Sequence, residues 1–184
     1  MLYRAFPHRP GAVPTEEGGP LWVPRERQGV SRHDNPDHYG ALYVSRDAVS
    51  AVAERIQAFR GQGLSDSDLR RADGSGLALA TIDGSALPGL VDLDDPRVLV
   101  RRELRPSRVA TGARRVTQAI ALDLFREGAH GFSWWSVLEA SWRNVTLFAE
   151  RCTDLLRIEA EPEPLGVEHP ALRAAAGAIG VLLP

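Results

Sequence analysis

One cysteine, Cys152, is all the chain has. A single thiol excludes an intramolecular disulfide and cannot assemble a thiolate zinc site within one chain, so a reducing compartment is the expected setting. Long hydrophobic runs are equally scarce. No stretch nears the roughly 18 apolar residues of a membrane span, and the opening "MLYRAFPHRPG" has no uninterrupted apolar core of the signal-peptide kind. A cytoplasmic location with no membrane partner is the expectation. Neither sign of charge is in excess, since 22 Lys and Arg stand against 24 Asp and Glu, for a net charge of −2. That balance argues against a sequence-wide nucleic-acid footprint. The glycine signatures GxGxxG and GxxxxGK[ST] are both missing, which weighs against Rossmann and P-loop nucleotide enzymes. The five histidines show no H-E-x-x-H or other metal spacing, so no metal site is expected.

What is present is ordinary for a globular chain. With 184 residues, 43% hydrophobic and 25% charged, residues 1–184 suffice for one compact domain and are short for two. Leu2 to Phe6 reads as a first strand. Pro7, Pro10, Pro14, Pro20 and Pro24 then deny the chain regular structure, which predicts a surface loop or lid. Ala41 to Val44 is a short strand, and Ser45 or Asp47 can cap a helix running to about Phe59 or Arg60. The apolar stripe of that helix is Val49, Val52, Ala53, Ile56 and Phe59. Leu64 to Asp73 reads as a polar connector with some helical character, Gly76 to Ile82 as a buried strand, and "DGSALPGLVDLDDP" as loop. Thr111 to Glu127 predicts a helix apolar on most sides and hence central. Gly131 to Ser136, Val145 to Glu150 and Leu155 to Ala160 are strand candidates, and His169 to Ala178 a closing helix. "EAEPEP" is an extended surface segment. Without a regular βα alternation, the pattern implies an irregular α+β domain with a bent mixed β-sheet flanked by helices.

Four residues stand out as candidates for chemistry: Arg32, Tyr43, Glu54 and Ser136. Each also has a plain structural reading. A loop arginine is usually solvated, and a strand-end tyrosine is usually a core or rim aromatic. Ser136 can simply turn the chain after Trp135. Glu54 lies roughly 150° around the helix from the apolar stripe, at ~100° per residue, so periodicity alone makes it solvent-exposed. His33, Asp34 and His38 read as solvated loop residues that could help hold phosphate. "WWSVLEASW" could suggest a stacking platform for single-stranded nucleic acid, but without a basic stripe its tryptophans fit core and partner-contact roles better.

The equal separations from Arg32 to Tyr43 and from Tyr43 to Glu54, with loop, strand and helix in sequence, lift the four above the plain reading. "SRHDNPDHYGALYVSRDAVSAVAE" and "TQAIALDLFREGAHGFSWWS", with "NVTLFAE" behind them, resemble the RES domain, named for an arginine, a glutamate and a serine. The resemblance runs from "LYRAF" at Leu2 to the end of the chain. It puts the family's arginine on Arg32, its strand tyrosine on Tyr43, its glutamate on Glu54 and its serine on Ser136. The chain departs from the family pattern at Ser31, where a glycine often stands. Ser133 rivals Ser136, although the G-x-x-[YW]-x-S pattern selects Ser136 through Gly131 and Trp134.

That resemblance implies a single RES-like domain with a fold similar to ADP-ribosyltransferases, acting as the toxin of a type II toxin–antitoxin pair. The implied activity is cleavage of the nicotinamide–ribose bond of NAD by hydrolysis or phosphorolysis. The alternatives are ADP-ribosyl transfer to a protein target, or a catalytically silent RES-like binding module. It also implies Glu54 and Tyr43 as catalytic, and Arg32, Tyr43 and Ser136 as NAD-binding. No cofactor is implied, because NAD enters as substrate. The implied protein partners are a helix-turn-helix (Xre-like) antitoxin covering the active site and a second copy of the chain within that complex.

Overall fold

The computed structural model describes residues 1–184. Its strands are β1 (Leu2–His8), β2 (Ala41–Ser45), β3 (Gly76–Asp83), β4 (Val91–Asp92), β5 (Gly131–Trp135), β6 (Arg143–Phe148), β7 (Arg157–Ile158) and β8 (Glu163–Pro164). They form one open sheet in the order β4-β5-β6-β2-β1-β3-β7, with β8 beside β3. β4 runs parallel to β5 and the other pairings are antiparallel. The helices are α1 (Ala48–Ile56), α2 (Pro96–Arg101), α3 (Pro106–Val109), α4 (Arg114–Arg126), α5 (Ala149–Cys152) and α6 (Pro170–Ile179). A single-domain α+β fold with a mixed sheet flanked by helices is what the sequence pattern implied.

Strand alternation divides the side chains into two faces. On one, Val52 and Ile56 of α1 and Leu172 and Ala176 of α6 pack against Leu77 and Leu79 of β3. Further along the same face, Ile120 and Leu124 of α4 pack against Phe132 and Trp134 of β5. The opposite face carries Phe6, Leu42, Val44, Val145 and Leu147, closed by Leu21 and Cys152. The two helical layers therefore share one face and leave a gap between α1 and α4.

The sheet also opens at that gap. β1 pairs with β3 over its whole length, yet it meets β2 in register only at Tyr3 opposite Ser45. Beyond that pair the strands splay. Pro7, which has no N–H to give a neighbour, lies in the splayed part of β1.

Several sequence expectations are corrected here. After His8 the proline-rich segment has no helix or strand before Arg25, as expected of a surface loop, but it is packed down on the sheet, since Leu21 is core and Arg4 donates to the carbonyls of Pro20 and Trp22 at 2.6 and 3.0 Å. A side chain at Gly19 would collide with the Val13 and Pro14 carbonyls, so only glycine lets the segment fold down. α4 begins at Arg114, and Ala119 is exposed. It is an amphipathic cover with a buried side of Thr117, Ile120, Ala121 and Leu124, not a central helix. Leu64–Asp73 contains no helix, being held by the buried Leu64 and Leu69. The loop around Val91 supplies β4. The third late strand shrinks to Arg157–Ile158, since β3 offers it pairing only at Ile82 and Asp83. The strand expected to reach Glu150 instead ends at Phe148, where α5 begins.

Candidate functional site

The gap holds a cavity of about 430 Å³. One wall is β1, the other is β2 with its continuation into α1, and the loop around Arg32 closes an end. Arg4, Arg32, Arg55 and Arg114 line it, and Glu54 is its one acidic residue. None of these four arginines forms an ion pair. A cavity so lined attracts anions while offering one carboxylate.

Glu54 is neither a core residue nor a freely solvated one. α1 starts where Asp47 accepts from the Ser50 amide at 2.6 Å, and its apolar stripe turns inward as the periodicity required. Ser50 and Glu54, four residues apart, share the flank beside the stripe. The helical wheel could not show that β6 and the turn after β5 stand against that flank. The Oε1 atom of Glu54 accepts from Ser136 Oγ at 2.7 Å and from Asn144 Nδ2 at 2.6 Å. Oε2 is met only by the exposed Gln57 amide at 3.1 Å. One carboxylate oxygen is thus fixed, and the other is available.

Asn144 was not singled out from the sequence. It is 2% exposed, and its Oδ1 accepts from Ser45 Oγ at 2.7 Å and Ser50 Oγ at 2.9 Å. With both lone pairs satisfied by hydroxyls, its amide must point at Glu54. The available signal was an asparagine breaking into the apolar strand "NVTLF". Of the two candidate serines, Ser136 is the one beside Glu54: its hydroxyl donates to Glu54 and accepts from the Leu138 amide at 3.0 Å, whereas Ser133 donates to Asp92 at 2.8 Å. Ser136 does not itself line the cavity.

Tyr43 lines the cavity. Its hydroxyl is committed elsewhere, donating to Asp34 Oδ1 at 2.7 Å and accepting from the His33 amide at 2.9 Å. Burial, followed by the adjacent Asp34 charge, raises the phenol pKa above its ordinary value. Asp34 also accepts from the amides of Gly29 and Ser31. Asp34 and His33 are 3% and 2% exposed, which corrects the expectation of solvated loop residues. The His33 ring meets the Thr146 hydroxyl at 2.9 Å and sits edge-on to Phe132 and Trp134. Its burial, and then Arg32 and Arg114, hold its pKa well below the usual histidine value.

Arg32 is the residue this loop presents. Its guanidinium donates to the carbonyls of Val109 and Thr111 at 3.1 and 2.8 Å and lies 5.2 Å from the Trp134 ring. Burial and then Arg114 lower its pKa, with Glu54 opposing. The Thr117 hydroxyl of α4 bonds the Arg32 carbonyl. Trp134 is thus both core and platform. The structure brings Arg32, Tyr43 and Glu54 to one cavity and sets Ser136 behind Glu54. Arg4, Arg55 and Arg114 join them without having been foreseen, since separate arginines carry no local spacing signal.

The RES domain family model matches residues 1–173. Among solved structures, the chain is similar to one chain of the crystal structure of the M. tuberculosis MbcT-MbcA toxin-antitoxin complex. The TM-score is 0.62 at 18% identity, over 95% of this chain and 88% of that one. No curated protein matches. No helix is long and apolar enough to cross a membrane.

Proposed function

The chain belongs to the RES domain family, and from that premise we propose that it is a toxin of a toxin–antitoxin pair that cleaves NAD at the nicotinamide–ribose bond. The observation carrying this reading is the single carboxylate, held by Ser136 and Asn144, in a cavity with four unpaired arginines. NAD brings two negative phosphates and a cationic leaving group. When the glycosidic bond breaks, its electron pair passes to the pyridinium nitrogen, nicotinamide leaves neutral, and positive charge develops at the ribose carbon. Oε2 of Glu54 is suited to hold a ribose hydroxyl and stabilise that charge. Its fixed Oε1 means no reorganisation is needed as the charge appears.

Arg32 is suited to the diphosphate, because its planar fork donates in pairs and keeps its charge. Tyr43 is suited to stack against the nicotinamide or the ribose. Its hydroxyl, occupied by Asp34, makes a proton-transfer role the weaker assignment, although the sequence reading had counted Tyr43 as catalytic. Ser136 acts through Glu54 and is a positioning residue. Water as nucleophile yields ADP-ribose and a proton, while phosphate yields ADP-ribose phosphorylated at the same ribose carbon. Exposed Val30 and Val137, 84% and 51% accessible on the cavity lining, support a macromolecule seated at the mouth, as the helix-turn-helix antitoxin would be.

Purified chain incubated with NAD, with and without phosphate, and resolved by chromatography tests the reading. Free nicotinamide is expected under at least one condition, and the co-product identifies the nucleophile. If folded chain releases none under either, NAD hydrolysis and phosphorolysis are both ruled out, which leaves transfer to a protein acceptor or a silent binding module.

A further inference from the structure

The proline-rich wall folds over β1 and encloses a second cavity, of about 260 Å³, beside the first. Arg4, Phe6, Pro7 and Arg55 line both, so the two cavities adjoin. Arg9, Arg27 and Arg71 add three more guanidiniums to the second, facing Glu17 and Asp73. The acids do not balance them. Glu17 pairs with Arg27 at 3.2 Å. Asp73 is turned to Ser75, whose amide and hydroxyl both donate to it, at 2.9 and 2.6 Å, and it feels Arg71 and Arg9 only at longer range, with no ion-pair contact. Arg4, Arg9, Arg55 and Arg71 are left without a carboxylate in contact.

Like charges gathered on one small concavity repel one another unless an anion lies between them. Arg4 cannot swing away, since both its terminal nitrogens are bound to the Pro20 and Trp22 carbonyls. Burial, and then the nearby Arg55, lower its pKa to about 10. The uncommitted guanidinium forks of Arg9, Arg55 and Arg71, which come from three different segments of the chain, fit a tetrahedral anion with many acceptor oxygens better than a planar carboxylate. Half-buried Trp22, whose ring has Arg27 at 5.5 Å, adds a flat face of the kind a base stacks on.

We propose that this basin is a second, phosphate-binding subsite, filled either by the phosphorylated nucleoside end of a ligand reaching across from the first cavity or by free inorganic phosphate. Arg9 and Arg71 set its affinity. Both are exposed, so removing them leaves the core intact, and a thermal melt of the variant confirms its fold.

Calorimetry on the full chain tests the subsite, with adenosine 2′,5′-bisphosphate and inorganic phosphate as the two probes. The proteins are wild type, Glu54→Gln and the double variant Arg9→Ala with Arg71→Ala. The bisphosphate should bind wild type and Glu54→Gln alike and the double variant about tenfold or more weakly, as loss of charge-assisted hydrogen bonds implies. Tighter binding of the bisphosphate than of phosphate identifies the nucleoside end as the natural occupant. Equal binding, equally dependent on Arg9 and Arg71, identifies the free ion. Failure of both probes to bind, or binding indifferent to the double substitution, overturns the proposal. Because the readout is binding and includes Glu54→Gln, an absence of NAD cleavage would leave this result standing.

Discussion

Removing the Tyr43 hydroxyl separates the two things this residue does. Tyr43→Phe keeps the ring and deprives buried Asp34 and the His33 amide of a partner. Stability should fall by about 1–3 kcal/mol, seen as a lower melting temperature, while NAD turnover at saturating substrate stays within a few-fold of wild type. A turnover loss as deep as that of a catalytic acid, with an unchanged melt, would restore the hydroxyl to the chemistry. His33 gives a pH dependence of definite sign. Its folded pKa lies well below the ordinary 6.5, so below about pH 6.5 the unfolded chain binds the proton and the folded chain does not. Stability should therefore drop as pH falls through that window. Wild type should lose up to about 1.4 kcal/mol per pH unit more than His33→Gln. Parallel denaturation curves from pH 7 to 5 would show that His33 does not titrate on unfolding. At this scale the sequence was informative about identity and poor about environment. Arg32, Tyr43, Glu54 and Ser136 could be named through the resemblance to the RES domain. That Tyr43 supports Asp34, and that Ser136 supports Glu54, depends on partners distant in the chain.

Helix α1 is the element on which the site depends, and its legibility was high where the signals were local. Asp47 caps it and Val52, Ala53 and Ile56 are buried, as cap chemistry and periodicity required. Its third side was not legible, because strand β6 supplies Asn144 through register with β2, and register between strands a hundred residues apart leaves no periodic trace. Asn144→Ala should strand the Ser45 and Ser50 hydroxyls and free Glu54. The expected cost is about 1–3 kcal/mol for each buried group left unpaired, with a fall in turnover beside it. Asn144→Ala with wild-type stability would mean that water or a neighbour replaces the amide and that Glu54 is held by Ser136 alone. Helix α4 failed for a related reason: leucine, isoleucine and phenylalanine around much of a helix suggest burial on all sides, but one layer on one sheet face can bury only one side. Helix α2, six residues from Pro96 with Asp95 as its cap, is too short for a hydrophobic period to register.

For the whole molecule, the fold class followed from element content, but the cavity did not. It exists because β1 leaves β2 after one residue pair and because two helical layers stop short of each other, and both are properties of assembly. The chain's net charge of −2 gives no hint that four arginines converge on one acid. Their convergence is the reason to assign Glu54 the central role, and Glu54→Gln isolates it. The substitution keeps the oxygen that Ser136 and Asn144 hold and removes the negative charge. Weaker hydrogen bonds to a neutral amide should lower stability by about 1 kcal/mol, more than a helical wheel with an exposed glutamate would suggest. The decisive measurement is nicotinamide release at saturating NAD by wild type and Glu54→Gln, with NAD affinity measured in parallel by calorimetry. Turnover should fall by ~100-fold or more, equivalent to about 3 kcal/mol of transition-state stabilisation, while affinity changes only a few-fold. Wild-type turnover in Glu54→Gln would remove this carboxylate from the chemistry and contradict the assignment.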